Sequence, residues 1–137
     1  MPFRFLDHDA DIGIEATSPD YEGLFVEGAR GLTALLTDPG TVRETERLRV
    51  EARGDDRAGV FVHWLKEILS LYDTGGFLCA GAFEVAATET FISALVAGER
   101  RDPARHAARH EVKAITWHGA AVVRDGAFWR AVVIVDV

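Results

Sequence analysis

Residues 111–137 read EVKAITWHGAAVVRDGAFWRAVVIVDV, and this stretch decides the fold. It contains two long runs rich in β-branched and aromatic residues, 111–124 and 128–137, joined through Asp125-Gly126. Asp-Gly accepts the positive φ of a two-residue turn, so the stretch predicts a β-hairpin whose second strand runs to the end of the sequence. Upstream, Phe83-Glu84-Val85-Ala86-Ala87 and Phe91-Ile92-Ser93-Ala94-Leu95-Val96 flank a short polar link and predict a second hairpin. The polar residues 99–110 between the two hairpins read as a surface loop.

Nearer the start the period changes. Leu24, Phe25, Gly28, Ala29, Leu32, Leu35 and Leu36 recur every three or four residues, the spacing of a helix with one apolar face. Ser18 suits its N-cap and Pro19 its first helical position, and Thr37-Asp38-Pro39-Gly40 should end it. Val60, Phe61, Trp64, Leu65, Ile68, Leu69 and Tyr72 form a second such face, capped by Gly54-Asp55-Asp56 and closed by Asp73-Thr74-Gly75-Gly76. Between the helices, residues 44–52 alternate charged and apolar side chains as a half-buried strand does. At the N-terminus, apolar residues 3–6 and 12–16 flank the acidic Asp7-His8-Asp9-Ala10-Asp11, which reads as strand, acidic loop, strand. Helices early and hairpins late predict an α+β fold: two layers, with the helices packed on an antiparallel or mixed sheet.

The chain has 137 residues, 48% hydrophobic and 27% charged, which suits one domain over residues 1–137 and excludes disorder and fibrous repeats. Fifteen basic against twenty-two acidic side chains leave a net charge of -7, which opposes general adhesion to nucleic acid or anionic lipid. The single Cys79 rules out an internal disulfide and favours a reducing compartment. With no signal peptide or membrane-spanning stretch, a soluble cytoplasmic protein is expected.

Several residues have chemistry to offer, each with a plainer reading beside it. Asp7, Asp9 and Asp11 offer hard oxygen donors suited to calcium or magnesium, but the spacing is not that of an EF-hand, and aspartates are common in turns. Asp136 ends an apolar strand, where a carboxylate needs a hydrogen bond, an ion pair or a metal unless the terminus frays into water. Lys113 interrupts an apolar run and could present its ammonium to a carboxylate or phosphate, or simply guard a sheet edge. His106 and His110 lie four apart without the glutamate of a metalloprotease motif. No base lies near Cys79 in sequence, and no glycine-rich phosphate loop or nucleophile joins the acidic residues, so the chain does not read as an enzyme.

Phe5-Leu6-Asp7-His8-Asp9-Ala10-Asp11-Ile12-Gly13-Ile14, Glu111-Val112-Lys113-Ala114-Ile115-Thr116-Trp117-His118 and Ile134-Val135-Asp136-Val137 together resemble the archease family. Supporting stretches are Leu24-Phe25, His63-Trp64-Leu65, Ile68-Leu69 and Gly98-Glu99. The resemblance implies a cytoplasmic accessory protein of the manganese-dependent RNA ligase RtcB. Such a protein promotes guanylylation of the ligase from GTP, and so multiple turnover, in tRNA splicing or RNA repair. RNA would be reached through the ligase, with no membrane involved. It also implies a divalent-metal site on Asp11, Asp136 and Val137, with calcium first and manganese or magnesium as alternatives, and a functional role for Lys113 toward the partner or a phosphate. Asp9 stands where the family usually has threonine, and Trp117 where tyrosine is commoner. The competing readings are a metal-dependent chaperone or general interaction module, and a small metal-dependent hydrolase.

Overall fold

The structure, a computed structural model, describes residues 2–8 and 11–137, with His8 described by its backbone alone. The elements in chain order are β1 (Phe3–His8), β2 (Asp11–Ser18), α1 (Tyr21–Leu36), a 3₁₀ turn (Pro39–Thr41), β3 (Glu46–Arg53) and α2 (Arg57–Gly75). After them come β4 (Phe77–Ala87), β5 (Phe91–Arg100), β6 (Ala114–Asp125) and β7 (Phe128–Asp136). Gly126 sits at φ 65° in the β6–β7 turn, as the Asp-Gly pair predicts.

The expected α+β class holds, and its β part divides into two antiparallel sheets rather than one. The first has the order β1-β2-β7-β6 and the second β3-β5-β4. Each helix packs against both sheets: α1 against β2 and β4, α2 against β6 and β3. Alternation explains how a strand serves this core. Ile14 and Ala16 of β2 and Ala131, Val133 and Val135 of β7 are fully buried toward the helices, while the residues between them form the outer face. Both sheets and both helices contribute to one contiguous apolar cluster. At its centre Trp64 is fully buried and donates its indole N–H to the Phe25 carbonyl at 2.9 Å, which removes the cost of burying that donor. Among the described residues no helix is long and apolar enough to cross a membrane.

Both helix starts are capped by aspartate. Asp56 caps α2 as expected, accepting from the Gly59 amide at 2.7 Å. On α1 the cap is Asp20 rather than Ser18, with Pro19 before the helix. Ser18 still pairs with Trp129 in the sheet, so the helix must begin later, and the Ser18 hydroxyl instead bonds Asp20 Oδ1 at 3.3 Å.

Candidate site at the β2–β7 end

β2 and β7 are neighbours at the centre of the first sheet, and their register sets Asp11 directly opposite Asp136. On its other side Asp136 is paired with Ala114 of β6. The end of the chain therefore does not fray: Asp136 is held in a ladder between two strands, and Val137 packs half-buried against the core. Like charges in direct cross-strand register repel. Asp11 and Asp136 are both half-buried and lie on the outer face of the sheet, since the alternate positions Ile12 and Val135 face the helices. Among the described residues Asp136 forms no ion pair with a basic group.

Of the acidic segment, Asp7, His8 and Asp11 lie in strands and not in a loop. β1 reaches His8, which pairs with Asp11, and Asp7 pairs with Ile12. Alternation then directs Asp7 to the opposite face from Asp11, so these two carboxylates do not converge. Asp9 lies outside the described residues. Among the described residues no group of three or more His, Cys, Asp or Glu side chains is arranged around a common centre suited to a metal ion. The carboxylates that the register sets side by side are those of Asp11 and Asp136, with Val137 next along the chain.

Lys113 precedes β6 instead of lying within it, and its side chain is exposed. Its backbone N–H donates to the Asp136 carbonyl at 2.8 Å, so the lysine is tied to the residue that carries the second carboxylate. It lines a cleft of about 610 Å³ with Tyr72, Asp73, Arg109, His110 and Glu111. The structure brings Asp11, Asp136, Val137 and Lys113 to one end of the first sheet.

A second polar cluster went unseen in the sequence. Glu99 belongs to the end of β5 and is 7% exposed. Arg105 donates to both its oxygens, at 2.5 and 3.1 Å, and the Arg43 amide donates at 2.7 Å. These bonds, the Arg105 fork first, hold the Glu99 carboxyl down at about 2 against the usual 4.5. His106, fully buried, completes the cluster: its Nδ1 accepts from the Asp102 amide at 2.8 Å, so Nε2 carries the proton and donates to Glu99 at 3.0 Å. Both ring nitrogens are thus engaged within the fold, which removes His106 from any metal pair with His110. The segment after β5 is consequently anchored, not a free loop. Further along it the amides of Arg109 and His110 donate to the Leu36 and Leu35 carbonyls at 3.1 and 2.9 Å, satisfying the C-terminus of α1. This strap ends at Lys113. Its legible signal was a glutamate on an unbroken strand with Arg and His six and seven residues on. Cys79 is 2% exposed, and burial pushes its thiol up to about 12, so it is inert packing.

The archease protein family (MTH1598/TM1083) has a family model that matches residues 3–137. The protein archease of Methanopyrus kandleri is 34% identical over 140 residues, covering 99% of each chain. The solution structure of Methanobacterium thermoautotrophicum protein 1598 superposes with a TM-score of 0.84 at 29% identity, covering 99% of both chains. An archease crystal structure from Thermotoga maritima, described as a possible chaperone, is similar in fold, with a TM-score of 0.62 at 19% identity over 96% of this chain and 94% of that one.

Proposed function

Because the chain belongs to the archease family, we propose that it is an accessory protein of the RNA ligase RtcB, promoting the ligase's GTP-dependent guanylylation and hence its multiple turnover in tRNA splicing or RNA repair. The observation that carries this reading is the direct register of Asp11 with Asp136 at one end of a family-matched chain. Oxygen donors so arranged, with those of Val137 adjacent, suit a hard divalent cation, calcium first and manganese or magnesium as alternatives. When bound, the cation would neutralise the carboxylate pair and give this end of the sheet a positive centre to present to a metal-using ligase. The chain's own residues set the geometry: the β2–β7 ladder fixes the two carboxylates, and the strap from Glu99 delivers Lys113 beside Asp136. Lys113 then meets a phosphate or an acidic residue of the ligase. In this reading the RNA ends being joined are held by the ligase.

Reconstitution with RtcB, GTP and manganese tests the reading. Wild-type protein should convert a single round of ligation into many, and Asp11→Ala or Asp136→Ala should lose most of that stimulation. Equal activation by wild type and both variants would sink the acidic-end mechanism. A general chaperone would instead suppress aggregation of unrelated proteins without raising guanylylation. The cation has its own readout: calcium at about one hundred times its Kd should stabilise the wild-type fold by about 2.7 kcal/mol and leave Asp136→Ala unmoved.

A further inference from the structure

The second sheet turns one face to the helices and the other to solvent, and the solvent face has a chemistry at odds with the acidic chain as a whole. Ala52, Val50 and Leu48 of β3 point inward, so Arg47, Arg49 and Arg53 point outward, all exposed, with Glu51 alone opposing them in the row. Aromatic rings alternate with these arginines. The Arg47 guanidinium stands 5.4 Å from the centre of the exposed Phe83 ring, and that of Arg53 4.8 Å from Phe91. Arg49 bonds the Ser93 hydroxyl at 2.9 Å across the strand pair. Phe83 is placed by a bulge in β4, where Glu84 adopts the left-handed conformation at φ 51°, uncommon for a residue with a side chain.

The face does not stop at the sheet. Arg53 and His63 line both of two adjoining clefts, one shared with Phe91, Glu51 and Glu67 and the other with Trp117, Asp55 and Asp56. Trp117 is 50% exposed, the most open of the chain's tryptophans, and Lys66 approaches its ring at 5.5 Å. His63 holds its place at the junction by a bond from Nδ1 to the Arg53 carbonyl, and stacks edge-on against Trp117 at 5.0 Å.

From this alternation of cations with the exposed rings of Phe83 and Trp117 and the partly exposed ring of Phe91, we infer that the outer face of β3–β5–β4, continued through the Arg53–Trp117 clefts, binds single-stranded RNA directly. The arginines match phosphates, and the rings give bases surfaces to stack on, independent of sequence. An acidic peptide would match the arginines but gain nothing from Phe83, Phe91 and Trp117. Glu51 in the row, Asp55, Asp56 and Glu67 in the clefts, and the net charge of -7 keep the affinity modest, with Kd in the range of about 1–100 µM. The inference stands on this face alone and needs no ligase.

Fluorescence anisotropy of a labelled oligouridylate titrated with the full chain tests it. Binding should weaken as salt rises with a log–log slope of about -2, from about -0.7 for each of three neutralised phosphates. Arg47→Gln/Arg49→Gln/Arg53→Gln should flatten that slope and weaken binding at least about tenfold. Trp117→Ala should weaken binding by about tenfold with the slope unchanged, and wild-type tryptophan fluorescence should be quenched as RNA binds. Arg49→Gln alone, at an exposed position, serves should the triple variant fail to fold, and should weaken binding about threefold. No binding at low salt, binding indifferent to these substitutions, or polyglutamate competing as well as RNA at equal charge would each overturn the proposal, the last in favour of an acidic protein partner.

Discussion

At Gly98 a Cβ would stand 1.8 Å from the Leu78 carbonyl oxygen, a contact with backbone that no rotamer change relieves. Gly98→Ala should therefore cost about 3 kcal/mol or more in urea denaturation, or prevent folding. Its neighbour Glu99 is legible through titration. A carboxyl held at about 2 in the fold and near 4.5 in the unfolded chain contributes stability that is complete above pH 4.5 and is lost as pH falls toward 2. Wild type should accordingly lose stability across that window more steeply than Glu99→Gln, and a parallel decline of the two would count against the assigned network. His106→Ala, which leaves a buried void and strands the Asp102 amide, should cost about 2–4 kcal/mol. At this scale the sequence was uneven to read. Asp11 and Asp136 were reachable through the family motifs, yet nothing local in either segment reveals that they share a register, because strand pairing across most of the chain leaves no spacing signal. Glu99 and His106 were hidden for a different reason: a polar run reads as solvated whether its charges face water or one another.

Helices and hairpins were legible as elements because periodicity and turn residues are local properties. Boundaries moved where tertiary pairing overrode them, as at Ser18, which stays in β2 and leaves Asp20 to cap α1. Asp56→Ala should thus cost about 1 kcal/mol in thermal or chemical denaturation, while Ser18→Ala, which removes only a brace to the cap, should cost less than Asp20→Ala. The β6 strand shows the limit of alternation. Its pairing with β7 shifts between Thr116 and Ala121, so a strict two-residue period holds only in part along this strand. Ile115 is buried, Trp117 lies over α2 at the start of the irregularity, and Lys113 lies before the strand. Likewise a two-residue period tells which side chains face inward but not which strands share a sheet, so seven strands could be placed in one layer or two.

Across the whole molecule the two sheets differ in how far their strands lie apart along the chain. The β3-β5-β4 sheet draws on residues 46–100, whereas the β1-β2-β7-β6 sheet joins both ends. Closing the longer loop carries the larger entropic cost, so β3–β5 amides should gain protection before β2–β7 amides in pulsed hydrogen exchange during refolding. Simultaneous protection would show that the two sheets form as one cooperative unit. The same β2–β7 pairing has a consequence for synthesis on the ribosome. Both helices and the whole three-stranded sheet are translated well before Asp136, while β1 and β2 wait for the strand that lies between β2 and β6. A nascent chain halted before Asp136 would expose an unpaired β2 edge and lack the second carboxylate, so the acidic end of the first sheet is assembled only after both helices and the second sheet have been made.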